Sequence, residues 1–316
     1  MLKKRIYTVV ALLLLSVALF SASFDGRYAE VVSRVGIENK LAVYFVDLDV
    51  PEGSKDKSGD AQIIISPDNK VILLDCGHPD SYKNTMAVLD TLGITTIDMF
   101  INSHPHIDHL GAFPFIADKY EIKEVVRSEV EYPSSSYYRA FLESIEKHKI
   151  KDTIVKTGDL IEFGSKVKIE VLNPDTPIVY PDNYPKGSTQ FLNNNSLALK
   201  FIYGDTVYLT CGDLYLNGEK DVLEKYPESL KADLLKANHH LNDTSSQLRW
   251  VKATKAQVVV GMNDVIGSMS VYKRYVKYGA TVYHTLYNGM IRVVCEDNHN
   301  LTVTTQLDSW VEKGGN

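Results

Sequence analysis

The stretch INSHPHIDHLGA, residues 101–112, places four potential metal ligands within six positions. The four are His104, His106, Asp108 and His109. They follow the hydrophobic run IDMFINS (97–103), which predicts a buried strand with the ligands at its carboxyl end. Alternate residues of an extended segment share a side, so His104 and His106 can hold one ion together. Asp108 and His109 lie just beyond, at a turn, where they can reach a second ion.

Two other predicted strands also end in ligand-type residues. Asp213 closes the hairpin NSLALKFIYGDTVYLTCGD (195–213), and His239-His240 close the strand KADLLKANHH (231–240). Five of the nine histidines therefore fall into two clusters, which a random scatter would rarely produce. Imidazole suits Zn²⁺, and carboxylate suits Zn²⁺ or a harder ion. Asp213, delivered from a separate strand end, can bridge two ions roughly 3.5–4 Å apart that hold a hydroxide between them.

Strands and helices alternate along the chain, and no linker divides it. The pattern predicts strands at 41–50, 61–66, 70–75, 121–128 and 256–263, and helices at 81–93, 135–150 and 269–279. The proline-rich segment 173–190 is predicted to be a long loop, and loops of this length are often functional. We therefore predict one α/β domain over residues 24–316.

The first 23 residues have the pattern of a secretory signal. Lys3, Lys4 and Arg5 precede the apolar run VVALLLLSVALF (9–20), and the small residues of 21–23 offer a cleavage site. The alternative is a retained membrane anchor, although a full span needs roughly 20 apolar residues. We therefore expect a secreted or extracytoplasmic protein with no stable membrane association after cleavage.

The charge of the chain disfavours sequence-independent binding to nucleic acid. The net charge is −6, and loss of residues 1–23 removes three positive charges and no acid, which makes it −9. Proteins that bind nucleic acid without regard to sequence neutralise phosphates with Lys and Arg. A nucleic-acid partner is therefore possible but disfavoured, while a site that holds phosphate through metal ions stays open.

Three segments in this order, SHPHIDHLGA, TCGDL and LKANHH, resemble the metallo-β-lactamase superfamily. The resemblance covers residues 40–306 and is nearest to the extracellular hydrolase domain of competence-type (ComEC) DNA-uptake channels and their secreted single-domain relatives. Secreted phosphorylcholine esterases are similar in the same places. The resemblance implies an α/β fold, a four-layer αββα sandwich with the site at one edge of two sheets.

The chain departs from the narrower pattern in its loops. The segment LDVPEGSKDKSGD replaces a tight Gly-Gln-Gly-Asp turn, and Leu241-Asn242 replaces Gly-Ser after the paired histidines. DVIGSMS lacks a usual His-Pro, and cysteine stands at 76 and 211 where threonine is common. These changes leave the substrate open and the expected metal ligands intact.

The resemblance also implies a ligand set for two divalent ions, Zn²⁺ or alternatively Mn²⁺. The third histidine of the superfamily is absent, as in the competence-type subgroup, because Asn193-Asn194-Asn195-Ser196 stands there. The first ion would be held by His104, His106 and Asp213, with Asn195 or water completing the site. The second would be held by Asp108, His109, Asp213 and one residue of the histidine pair. We favour His240 as that ligand and place His239 beside it or facing the phosphate, although the order could be reversed.

These residues predict a hydrolase in which a metal-bridging hydroxide is the nucleophile. Asp108 would orient or deprotonate the nucleophile, and His239 would protonate the leaving group. The favoured substrate is a small or polymer-attached phosphodiester, because no motif segment supplies an obvious Lys or Arg to anchor a lactam carboxylate. The alternatives are a secreted nuclease, a lactam, lactone or ester hydrolase, and a non-catalytic binding module.

Overall fold

A computed structural model describes residues 26–50 and 57–308, and the predicted signal segment 1–23 lies outside them. The strands are β1 (Leu41–Phe45), β2 (Ala61–Ile65), β3 (Val71–Cys76), β4 (Thr96–Ile97), β5 (Met99–Ile101), β6 (Glu121–Ile122), β7 (Glu124–Arg127), β8 (Lys151–Ile154), β9 (Leu160–Phe163), β10 (Val167–Asn173), β11 (Ala198–Tyr203), β12 (Thr206–Thr210), β13 (Leu234–Lys236), β14 (Val258–Gly261), β15 (Thr281–His284), β16 (Ile291–Cys295) and β17 (Leu301–Thr305).

The helices that follow or connect these strands are mostly short. They are α1 (Tyr82–Thr91), α2 (Ile107–Leu110), α3 (Phe113–Lys119), α4 (Ser136–His148), α5 (Ser188–Asn194), α6 (Leu216–Lys225), α7 (Leu248–Thr254), α8 (Met269–Lys277) and α9 (Thr285–Asn288). Residues 26–31 are also helical, and single 3₁₀ turns form at Pro79–Ser81 and Asn238–Leu241. Within the described part of the chain, no helix is long and apolar enough to cross a membrane.

Two large sheets carry the fold, each part antiparallel and part parallel. One has the order β17-β16-β1-β2-β3-β5-β7-β8 and the other β15-β14-β13-β12-β11-β10-β9. The pairs from β3 to β8 in the first sheet and from β12 to β15 in the second are parallel. Ligands at the carboxyl ends of β5, β12 and β13 can therefore meet where these parallel parts end.

Three apolar layers separate the two sheets from each other and from their helices. Alternate residues of β1 divide between two layers: Leu41, Val43 and Phe45 pack between the sheets, while Ala42 and Tyr44 face the helices. The first sheet is covered by α1, α3 and α4, and the second by α6, α7 and α8. The architecture is thus helix, sheet, sheet, helix, which confirms the predicted four-layer αββα sandwich.

The predicted elements differ from the observed ones mainly at their ends. β1 stops at Phe45 rather than running to Val50, because its partners on both sides end at Ile291 and Gln62. The predicted strand 121–128 splits at Lys123 into β6 and β7, which pair in different sheets. The predicted loop 173–190 is shorter, because residue 173 belongs to β10 and α5 begins at Ser188.

Candidate metal site

The histidine motif sits between a strand and a helix, and its backbone sets the direction of each ligand. After β5 the chain bends at residues 103–105, where His106 N–H donates to the His104 carbonyl oxygen at 3.0 Å, and His106 is the N-cap of α2. His104 Nε2 and His106 Nδ1 lie 2.8 Å apart, so the two imidazoles face the same space, although a bend rather than an extended strand brings them together. Entry into α2 then turns Asp108 and His109 toward a second position.

That second position gathers four ligands from three separate segments. One ligand atom each from Asp108, His109, Asp213 and His240 lies within 4.8 Å of all the others. His240 Nε2 is 3.2 Å from Asp213 Oδ2 and 3.5 Å from Asp108 Oδ2, and His109 Nε2 is 3.4 Å from Asp213 Oδ2. The mixture of imidazole and carboxylate suits a transition-metal ion such as Zn²⁺.

Asp213 connects the two groups of ligands. Its Oδ2 atom lies 3.9 Å from His104 Nε2 as well as 3.4 Å from His109 Nε2. Gly212 brings this residue into place: its φ is +52°, and a Cβ there would lie 2.7 Å from Ser103 Oγ. A side chain at 212 would thus push the β12 end away from the motif. The carboxylate therefore lies between the two groups of ligands.

The paired histidines occupy different places. His240 is fully buried, and its Nδ1 lies 2.9 Å from the Met262 carbonyl oxygen, which leaves Nε2 to face the cluster. His239 lies at the edge, with Nδ1 hydrogen-bonded to Thr244 Oγ1 and Nε2 3.8 Å from Asp213 Oδ2. Both residues have positive φ, an arrangement that non-glycine residues adopt mainly under local constraint.

Three buried charged residues that the sequence analysis missed support the cluster. Asp75 Oδ2 lies 2.8 Å from His109 Nδ1, and the backbone N–H of Ser103 donates to Asp75 Oδ1. Lys236 is fully buried, forms an ion pair with Asp60 and donates to the Gly212 carbonyl oxygen at 3.1 Å. Asp60, Asp75 and His109 could themselves form a metal-ligand group. We interpret these two carboxylates as support, since Lys236 and His109 Nδ1 already neutralise them.

The sequence predicted no Lys or Arg beside the expected metal ligands, and this prediction is wrong. Lys236 Nζ lies 3.8 Å from Asp213 Oδ1, and Lys57 Nζ donates to His239 Nε2 at 3.2 Å. Lys236 lies in the quoted strand LLKANHH, where a lysine among apolar residues signals a buried partner. Lys57 comes from a polar loop. No local sequence pattern shows where that loop lies relative to the site.

The segment that holds Asp60 is pinned against the histidine motif. Asp60 N–H donates to the Asp108 carbonyl oxygen at 3.1 Å. Gly59 has a φ of +84°, and a Cβ there would lie 1.7 Å from the same carbonyl oxygen. Only glycine allows so close an approach of two backbones. The loop therefore carries an acidic residue into the site although it departs from the expected turn.

The predicted role of Asn195 concerns its amide oxygen, whereas the structure shows a hydrogen bond from its amide nitrogen. Its side-chain amide donates to the Phe191 carbonyl oxygen at 2.9 Å, which caps its own helix α5. At the first position the structure brings His104 and His106 together, with Asp213 Oδ2 3.9 Å from His104 Nε2, but these three residues are not among the compact ligand groups of the described chain. Remaining coordination there would fall to Asn195, water or substrate.

The charges show why a divalent cation fits. Burial lowers the pKa of His240, but Asp213 and Asp60 outweigh it and raise that pKa to about 10. The pKa of His109 is also raised, because Asp213, Asp75 and Asp108 outweigh its burial. The carboxylates thus hold protons on both imidazoles. No hydrogen bond among the described residues uses the buried Nε2 atoms of His109 and His240. A metal ion would replace those protons and use those nitrogens.

A known protein family matches more than half of the chain. The family model of the metallo-β-lactamase superfamily matches residues 61–255. The chain therefore belongs to the metallo-β-lactamase superfamily, whose members are generally metal-dependent hydrolases. The match contains the histidine motif, Asp213 and both paired histidines, and it ends before β14.

Individual relatives agree with that assignment. The chain is 25% identical to ComE operon protein 3 of Bacillus subtilis (strain 168) over 185 residues, which is 58% of this chain and 22% of that protein. It is 26% identical over 200 residues to a probable metallo-hydrolase of Methanocaldococcus jannaschii, covering 58% of this chain and 87% of that one. Among solved structures, a CmlA β-hydroxylase variant matches with TM-score 0.51 at 11% identity, over 80% of this chain and 53% of that chain.

The predicted resemblance to the competence-type hydrolase domain is consistent with the match to ComE operon protein 3. The chain spans only about a fifth of the length of ComE operon protein 3, so the resemblance concerns one part of that protein. The CmlA structure, at 11% identity, shows the shared fold alone.

Proposed function

We propose that the protein is a binuclear metal-dependent phosphodiesterase that acts outside the cytoplasm. The observation that carries the proposal is the position of Asp213 Oδ2, within 3.9 Å of histidine nitrogens from both ligand groups. Adjacent metal positions joined by a carboxylate are typical of phosphatases and nucleases. Two divalent ions held there would lower the pKa of bound water and neutralise charge on phosphate oxygens. Export is inferred from residues 1–23 alone.

The chain's own residues supply proton handling around the reacting centre. Asp108 is the most exposed of the four carboxylates, with 13% of its side chain accessible against 0–4% for Asp60, Asp75 and Asp213. It is therefore the carboxylate best placed to orient an attacking water, although it would be a weak proton acceptor, since its burial is outweighed by His109 and His240, which lower its pKa. At the edge of the cluster, His239 and Lys57 form a polar pair that can face the leaving oxygen.

A phosphodiester suits this arrangement because it is anionic and offers two non-bridging oxygens. The first position has few protein ligands, so substrate oxygens can complete its coordination. Lys57 adds positive charge at the edge of the cluster. The same ammonium could pair with the carboxylate of a lactam, which makes a lactam hydrolase the second candidate. A nuclease remains less favoured on the acidic net charge, −6 for the whole chain.

Metal content is the first test. The purified mature protein is expected to carry about two transition-metal ions per chain, measured by elemental analysis after removal of loosely bound metal. Zn²⁺ is the favoured ion and Mn²⁺ the alternative. Protein that is isolated without metal and takes up neither ion on incubation would contradict the metallohydrolase proposal.

Substrate preference is the second test. The metal-loaded enzyme is expected to show a higher kcat/KM for bis-(p-nitrophenyl) phosphate than for a chromogenic cephalosporin. The reason is that the diester presents two anionic oxygens to the ions and the lactam presents one carbonyl oxygen. A clear preference for the cephalosporin would favour the second candidate and would make Lys57 a carboxylate anchor. Turnover of neither compound by fully loaded protein would favour a binding module.

A further inference from the structure

A cleft of about 470 Å³ opens beside the candidate metal site. Its walls come from the start of α5, the start of α6 and the loop after the paired histidines, and they include Thr189, Gln190, Tyr215, Leu216, Asn217 and Thr244. No side chain lining it within the described part of the chain is charged. The volume lies in the range of small-molecule sites, roughly 300–1,000 Å³.

The cleft is separated from the metal ligands by one side chain. The rings of Tyr215 and His239 have centroids 4.7 Å apart, and Thr244 Oγ1 is hydrogen-bonded to His239 Nδ1. His239 Nε2 in turn lies 3.8 Å from Asp213 Oδ2. A group bound in the cleft would therefore connect to a phosphate at the cluster through the oxygen nearest His239.

The chemistry of the walls restricts what can bind. Tyr215 offers a ring face, Leu216 an aliphatic side chain and Thr189 a methyl group, while Gln190 and Asn217 offer neutral amides. None of these lining groups carries a charge, so an ammonium or a carboxylate finds no ion-pair partner here. Neutral rings with hydroxyl or carbonyl substituents can stack on Tyr215 and hydrogen-bond the amides.

We infer that this cleft binds the leaving arm of the substrate and that the arm is an uncharged, ring-bearing alcohol. The inference rests on the proposed phosphodiesterase function. In the reaction, the oxygen of water bonds to phosphorus and the P–O bond to the arm breaks. The arm leaves as a neutral alcohol after taking one proton, and the phosphate monoester keeps the water oxygen.

Three synthetic diesters test the charge of the arm. Each carries a methyl group on one side and an aryl leaving group on the other: neutral p-nitrophenyl, cationic 4-(trimethylammonio)phenyl, or anionic 4-sulfophenyl. Rates are normalised by the metal-free hydrolysis of each compound to correct for leaving-group reactivity. The neutral arm is expected to give a kcat/KM at least about tenfold above either charged arm, equivalent to about 1.4 kcal/mol. Equal rates, or a preference for a charged arm, would overturn the inference.

The variant Gln190→Glu tests the cleft itself. It introduces one negative charge in a side chain of nearly the same shape, on a wall that contacts no metal ligand among those described. The ratio of kcat/KM for the cationic arm to that for the neutral arm is expected to rise about tenfold, since opposite charges attract strongly near a protein surface. Asn298→Asp, on the exposed turn between β16 and β17, adds the same charge elsewhere and should leave the ratio unchanged.

The outcomes separate the two proposals. Metal-loaded protein that hydrolyses none of the three diesters contradicts the proposed function and the inference together. Hydrolysis with no change of the ratio in Gln190→Glu, at unchanged metal content, leaves the phosphodiesterase intact and overturns the cleft assignment. A changed ratio in Asn298→Asp as well would show a general charge effect and would also overturn it.

Discussion

Replacing Asp213 by alanine is expected to reduce bound metal to one ion per chain or fewer and to lower phosphodiester turnover by more than about 100-fold, beyond the 10–100-fold typical of residues that only support ligands. Its Oδ2 atom is within 3.9 Å of nitrogens from His104, His109 and His240, so one substitution removes a ligand from both positions. Metal analysis and kcat/KM on the same preparation give the measurement.

His239→Ala is the matched comparison. Because His239 lies at the edge of the cluster and His240 lies within it, the His239 variant is expected to keep its metal ions. Its affinity for metal or its activity should fall by roughly 10–100-fold. Complete metal loss in His239→Ala, with two ions retained in Asp213→Ala, would reverse both assignments. Far-ultraviolet circular dichroism of each variant shows whether the fold is kept.

The sequence predicted the parts of the site whose geometry is local. His104 and His106 were predicted to share a side, and the structure places two of their nitrogens 2.8 Å apart, although through a bend at residues 103–105. The predicted four-layer fold and the hairpin predicted within 195–213 also agree with the structure, where β11 and β12 pair antiparallel. The hairpin follows from short-range periodicity, whereas the four-layer arrangement was implied by the resemblance to the superfamily.

The missed residues depend on contacts between distant segments. Asp60 reaches the site because the Gly59 backbone packs against Asp108, and no local pattern shows which strand end a loop will meet. Asp75 contacts His109 across 34 positions of the chain. The role of Asn195 stays a prediction, because the structure shows only that its amide nitrogen donates to its own helix. Lys236 alone had a readable signal, a lysine within an apolar strand.

Substitution of Lys236 is expected to have the second large effect, on the stability of the fold. Lys236→Met is expected to lower the free energy of unfolding of the metal-free protein by about 3–5 kcal/mol, the usual cost of leaving one charge of a buried pair alone. Lys236 and Asp60 are both fully buried, and each is the other's nearest opposite charge. Chelated protein is required, because bound metal would itself stabilise the fold. Urea unfolding gives the measurement, and Lys220→Met, at an exposed position on α6, should change little.

A second substitution separates stability from metal binding. Adding Asp60→Leu to Lys236→Met removes both charges, and replacing a whole buried ion pair by apolar groups is often nearly neutral, so the double variant should unfold with a smaller loss than either single one. Metal affinity should not recover with stability. Asp60 Oδ1 lies 3.2 Å from His240 Nδ1, and the loss of a carboxylate that orients a ligating histidine typically costs 10–100-fold in metal affinity. If Lys236→Met unfolds like the parent chain, or if the double variant binds metal as tightly as the parent, then Lys236 and Asp60 do not position His240.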